Sequence, residues 1–124
     1  MKVFKFGGAS VKDAAGVQNL VLVLENVGFK ETLIVVSAMG KTTNALEAII
    51  ETYFKNKKQT PTGILPLKKF HLDVVKDLLR EESGEVEAVI HQLFEELIAF
   101  FNTNKSPDYS FVYDQVVSYG ELLS

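Results

Sequence analysis

The 124-residue sequence has no cysteine and no tryptophan. With no thiol, disulfide staples and thiolate metal sites are excluded, which fits a cytoplasmic protein. Long apolar runs are missing too. The longest, residues 20–24 and 33–36, fall far short of the roughly 20 residues that span a bilayer. The start, Met1-Lys2-Val3-Phe4-Lys5-Phe6, lacks the apolar segment of a signal peptide and reads as a strand. Basic excess is absent as well. Thirteen Lys and Arg face sixteen Asp and Glu, a net charge of −3, with no stripe of the kind nucleic-acid binders need. The one dense basic run, Lys55, Lys57 and Lys58, falls where a solvated linker is expected. These absences leave neither nucleic acid nor membrane as a partner.

An apolar share of 47% and a charged share of 23% describe an ordinary folded chain, and the length allows one modest domain. Residues 2–6 alternate polar and apolar and run into Gly7-Gly8, a strand ending in a tight turn. Ser10, with Asp13 three residues on, has the pattern of a capped helix start. Val17, Leu20, Val21, Leu24 and Val27 then share one helical face, and Gly28 is a natural stop. Residues 32–36 form a continuous β-branched and apolar run, which predicts a strand buried on both faces. This is a β-α-β unit, with parallel strands and a right-handed crossover expected.

A polar loop over residues 37–43 leads into a second helix marked by Leu46, Ile49, Ile50, Tyr53 and Phe54. Residues 55–63, with Pro61, break the pattern. A helical hairpin follows. Its faces carry Leu67, Phe70, Val74, Val75 and Leu78, then Val86, Val89, Ile90, Leu93, Leu97 and Phe101, and Ser83-Gly84 separates them. Ser106-Pro107 predicts the start of a last helix, along which lie Val112, Val116, Val117, Leu122 and Leu123. Two strands beside about five helices make a poor place to stop, because the sheet's edges and faces want covering. The expectation is part of a larger α/β domain.

Three segments carry candidate chemistry. In Lys5-Phe6-Gly7-Gly8-Ala9-Ser10, a lysine ends a strand before two glycines and a helix start. Such a turn brings backbone N–H groups close to phosphate, and Lys5 adds a full positive charge. Taken alone, a Gly-Gly turn with Ser10 as cap is the commoner meaning. In Ser37-Ala38-Met39-Gly40-Lys41-Thr42-Thr43-Asn44, Gly-Lys-Thr invites a Walker A reading. It fails, because the pattern needs a glycine where Val35 stands within a strand. A hydroxyl-rich loop remains, at the same end of the sheet as the first. Ser37 and Thr43 can hydrogen-bond a small polar substrate, while Thr43 or Asn44, with Glu47, can cap the helix.

In Ser118-Tyr119-Gly120-Glu121-Leu122-Leu123-Ser124, a glycine inside an apolar helical pattern costs about 1 kcal/mol against alanine and points to a close approach. Glu121 can accept hydrogen bonds from an ammonium group, or be a plain surface glutamate. His71 and His91 lie on separate helices with no Asp or Cys around them, so each is expected to be a surface or half-buried histidine rather than a ligand. Glu81-Glu82 and Glu95-Glu96 read as solvated faces. No metal site is expected.

Together and in this order, the three segments resemble the aspartokinases. Residues 5–11 look like that family's Lys-Phe-Gly-Gly-(Thr/Ser)-Ser-aliphatic signature. Val35-Val36-Ser37-Ala38 through Thr43-Asn44 resembles its substrate loop, and residues 118–124 its Ser-(Phe/Tyr/His)-Gly-Glu-(Leu/Arg)-(Leu/Met)-Ser helix. The likeness covers essentially the whole chain and is least specific over residues 55–105. One departure stands out: Ala9 occupies a position where the family has Thr or Ser.

The resemblance implies that residues 1–124 are the N-terminal portion of an amino-acid-kinase domain, a three-layer αβα fold when complete. It implies ATP with Mg2+ as cofactor and transfer of the γ-phosphoryl group to the β-carboxylate of L-aspartate. The product is 4-phospho-L-aspartate, on the route to lysine, threonine and methionine. In that picture Lys5 is catalytic, Lys5, Gly7, Gly8 and Ser10 contact the phosphates, and Ser37, Thr43 and Glu121 hold the aspartate. The family's aspartate-binding Arg, its second catalytic acidic residue, its adenine-binding half and its ACT domains fall beyond Ser124. It further implies a homo-oligomeric enzyme and an inactive isolated 1–124 segment. Rival readings are another amino-acid kinase, such as an acetylglutamate or uridylate kinase, or a non-catalytic nucleotide-sensing or assembly module, which Ala9 favours. A third is self-association of the segment through faces left uncovered.

Overall fold

The structure, a computed structural model, describes residues 1–57 and 60–124. The chain opens with strand β1 (Lys2–Phe6), helix α1 (Ala14–Val27) and strand β2 (Thr32–Val36). Four helices follow: α2 (Thr42–Lys55), α3 (Thr60–Leu79), α4 (Gly84–Thr103) and α5 (Tyr109–Leu123), with a single 3-10 turn at Arg80–Glu82 between α3 and α4. The architecture is α/β. β1 and β2 pair in parallel, Lys2 opposite Thr32 through Phe6 opposite Val36. The β-α-β unit expected from the pattern is therefore present, its two strands adjacent.

Two apolar clusters hold the molecule. The larger lies among α2, α3, α4 and α5, with Leu46, Ile50, Phe94, Leu97, Val112 and Val116 at its centre. The smaller joins the β-α-β unit to α3: Val11, Met39 and Val74 are buried, with Phe6, Val17, Leu20, Val36 and Phe70 packed around them. Side chains alternate along a strand. Phe4 and Phe6, with their partners Ile34 and Val36, thus share one face, covered at its Phe6–Val36 end while Ile34 stays exposed, and Val3, Lys5, Leu33 and Val35 share the other.

That second face is open, which corrects the expectation for residues 32–36. Leu33 is 51% exposed and Val35 41%, because helices cover only one side of the two-stranded sheet. The same shortage of neighbours leaves α1 without a fully buried residue; Val21 and Val27 of its apolar face are exposed. Among the described residues, no helix is long and apolar enough to cross a membrane.

The helix ends depart from the sequence pattern in several places. Asp13, not Ser10, caps α1: its carboxylate accepts the Gly16 N–H at 2.8 Å. Gly28 does end that helix, with φ +84° and its N–H donating to the Leu24 carbonyl. Helix α2 starts at Thr42 with no side-chain cap, so Thr43 and Asn44 lie inside its first turn. Glu47 is instead a partner of the Tyr113 hydroxyl on α5, at 2.8 Å.

The break expected over residues 55–63 is shorter. Lys55 closes α2 and Thr60 opens α3, so Pro61 stands in a first turn, where its missing N–H costs no helical bond. Lys57 lies over the Tyr53 ring at 5.1 Å; Lys58 lies outside the described residues. At α5 the cap is Asp108, which accepts the Ser110 N–H at 3.0 Å, two residues beyond the expected Ser106. The hairpin turn at Ser83-Gly84 falls where expected, and its Ser83 hydroxyl donates to Glu87 at 2.7 Å.

Candidate functional site

Because β1 and β2 run in parallel, the loops that follow them emerge at the same end of the sheet. The Ser37 N–H donates to the Phe6 carbonyl at 3.0 Å, and the Gly40 N–H donates to the Gly8 carbonyl at 3.2 Å. The two loops are thus tied backbone to backbone. A Cβ at Gly8 would sit 3.0 Å from the Gly40 carbonyl oxygen and 3.2 Å from that of Ala38, so the contact needs glycine. Gly40 has φ +51°, a left-handed conformation that glycine adopts without strain.

Helix α5 closes a third side. A Cβ at Gly120 would lie 3.1 Å from the Ala38 Cβ, 3.5 Å from Leu46 Cδ1 and 3.7 Å from Thr42 Cγ2. The glycine within an apolar helix therefore marks a close approach, as its position suggested. Gly8 and Gly120 thus approach the same loop at Ala38, from 30 residues before it and 82 after it, and the chain neighbours of Ala38, Thr42 and Gly120 are Ser37, Thr43 and Glu121.

Lys5 is exposed on the open face of the sheet and, among the described residues, pairs with no carboxylate. In the turn after it, the Ser10 and Val11 amides both donate to the Gly7 carbonyl. Among the described residues the Gly8 and Ala9 amides have no acceptor, and a Cβ at Gly7 would meet nothing within 4 Å. Ala9 and Ser10 are exposed. The unpaired amides thus lie in the turn itself. The N-terminus of α1 is held by the Asp13 carboxylate, which leaves the turn and not the helix start as the place for an anion.

Ser37 and Thr43 are half-buried, and Glu121 is exposed one residue beyond the buried Gly120. Thr43 lies in the first turn of α2, which has neither a side-chain cap nor an acidic residue. Free N–H groups at such a helix start favour an anionic ligand.

Sequence reasoning missed one residue of this region. His71 is 1% exposed, not a surface or half-buried histidine, and its Nε2 lies 3.1 Å from the Thr42 hydroxyl. Burial pushes its pKa down to about 4, so the ring is neutral at pH 7. Phe70 and Phe94 flank it, with ring centroids 5.2 and 6.2 Å away. No local signal reveals this pair, because its members are 29 residues apart in sequence. His91 is exposed. Among the described residues, no three His, Asp or Glu side chains gather as a metal site would require.

No protein-family model matches this chain. One relative does align, at 32% identity over 102 residues, 78% of this chain. It is a bifunctional aspartokinase/homoserine dehydrogenase of Buchnera aphidicola subsp. Acyrthosiphon pisum (strain APS). The chain is similar to a part of that enzyme. It spans 12% of the relative's length.

Proposed function

We propose that this chain is the N-terminal portion of the kinase domain of an aspartokinase, serving amino-acid biosynthesis. The observation that carries the reading is the meeting of three segments at one end of the sheet: the Gly7-Gly8 turn, the 37–41 loop and the Gly120-Glu121 step of α5. Each alone has an ordinary explanation. Their convergence supports a common purpose, and similarity to part of an enzyme that contains an aspartokinase supports a role in amino-acid metabolism.

The residues present suit a nucleotide. Gly7 leaves open space, the amides of Gly8 and Ala9 are free, and Lys5 brings an uncompensated charge on the same strand. ATP, with its Mg2+, supplies the γ-phosphoryl group. An oxygen of the aspartate β-carboxylate bonds to the γ-phosphorus as the bridging P–O bond to ADP breaks, so no enzyme group is covalently modified. Lys5 stabilises the charge on the phosphoryl oxygens, and the glycine turn with Ser10 positions the phosphates. Ser37 and Thr43 orient the substrate by hydrogen bonds, and Glu121 accepts from its ammonium group. Cytoplasmic location and a homo-oligomeric state belong to the same reading.

The test is ATP-dependent acyl-phosphate formation by the product of the complete gene, trapped with hydroxylamine. L-aspartate and N-acetyl-L-glutamate are compared. Product with L-aspartate alone is expected. Product with N-acetyl-L-glutamate would move the chain to another amino-acid kinase, and product with neither would favour the non-catalytic module suggested by Ala9. Residues 1–124 alone are expected to consume no ATP in an aspartate-dependent manner.

A further inference from the structure

We propose that His71 is a positioning residue for L-aspartate, acting through Thr42; the inference rests on the aspartokinase reading above. A histidine is an expensive choice for a site that is 1% exposed and walled by Phe70 and Phe94. A leucine or phenylalanine would fill it without desolvating a polar ring. What the imidazole adds is a directed bond across the core: Nε2 meets the Thr42 hydroxyl at 3.1 Å, between the middle of α3 and the first residue of α2.

Thr42 stands where the candidate site is assembled. Its N–H donates to the Met39 carbonyl at 2.9 Å, closing the 37–41 loop onto the helix. Its methyl lies 3.7 Å from the place of a Cβ on Gly120. The next residue is Thr43, a substrate candidate. A threonine at a helix start commonly turns its hydroxyl back onto its own helix. Here His71 takes that hydroxyl, and the start of α2 has no side-chain cap. The bond fixes the rotamer of Thr42 and the entry angle of α2, and with them Ser37 and Thr43. Lys5 and the glycine turn lie on the other loop, which this bond reaches only at second hand, through the Gly40–Gly8 hydrogen bond, so ATP should feel its loss far less than aspartate does.

The prediction is a separation of the two substrates. In the product of the complete gene, His71→Leu should raise KM for L-aspartate about tenfold, the loss of one well-placed interaction, and leave KM for ATP within about twofold. His71→Gln, whose amide nitrogen can occupy the place of Nε2, should restore most of the aspartate affinity. Thr42→Val should match His71→Leu, and the double variant should be no worse than either single change. If His71→Leu does not fold, Thr42→Val with its ATP control carries the same test. An active enzyme in which His71→Leu or Thr42→Val leaves KM for aspartate unchanged, or raises both KM values alike, overturns the positioning role. A wild-type enzyme that makes no acyl phosphate from aspartate overturns the functional reading first, and this inference with it.

Discussion

Gly7 and Gly8 are neighbours, yet their surroundings differ in a way that separates folding from binding. A methyl group on Gly8 would press on the carbonyls of Gly40 and Ala38 at 3.0 and 3.2 Å, and backbone there cannot yield without parting the loops. Gly8→Ala should therefore cost roughly 1–3 kcal/mol, read as a lower midpoint in denaturant. Gly7→Ala meets open space and should leave the midpoint unchanged. If the turn cradles phosphate, Gly7→Ala should nevertheless weaken ATP binding, measured by titration on the intact enzyme; unchanged affinity would remove the turn from the nucleotide site. His71 offers a second residue-scale test. Its folded pKa, about 4, is below the ordinary 6.5, so the unfolded chain takes up a proton first as pH falls. Its contribution to stability is complete above 6.5 and is lost between 6.5 and about 4. Wild type should lose about 2 kcal/mol more than His71→Gln between pH 7 and pH 5, by the linkage of that shift to unfolding. Equal losses would mean that His71 titrates normally.

Elements were more legible in the sequence than their ends. The first strand follows from alternation, the second from a continuous apolar run, and the helices from buried faces, such as Leu46, Ile49, Ile50 and Tyr53 on α2, that repeat with the helical period. Caps are different. They depend on which of several nearby oxygens the tertiary structure leaves free. Ser10, Asp13, Ser106 and Asp108 all have capping chemistry, and in both pairs the aspartate nearer the helix takes the N–H. Asp13→Ala should thus destabilise the protein by about 1 kcal/mol, while Ser10→Ala should leave its thermal midpoint unchanged. The reverse order would restore Ser10 as the cap. The motif residues around Gly8, Gly40 and Gly120 could be singled out, but their meeting could not: it is made by contacts between segments far apart in sequence. The Thr42–His71 bond was out of reach for the same reason.

At the scale of the whole molecule, the apolar surface is unevenly spent. The α2–α5 bundle has a large buried cluster, whereas the β-α-β unit has a small one and an open sheet face with Val3, Leu33 and Val35 exposed. Local opening follows buried contact. Amide hydrogen exchange should therefore be slowest in α2, α4 and α5 and markedly faster in α1, β1 and β2. Uniform protection would mean that the strand unit is held by more than these contacts. The expected burial of residues 32–36 failed at this scale as well, since an apolar run records what a strand is suited to touch, and only neighbouring layers decide what it does touch. Between the two units lies the clasp formed by the Gly8 carbonyl and the Gly40 amide. It makes one body of two loops, so a molecule that stills the first also stills the second. If ATP and aspartate bind as proposed, the entropy lost in that ordering is incurred once and shared by both. On the aspartokinase reading, the second to arrive finds its loop already quiet, and the pair should bind with a synergy beyond what their own contact gives.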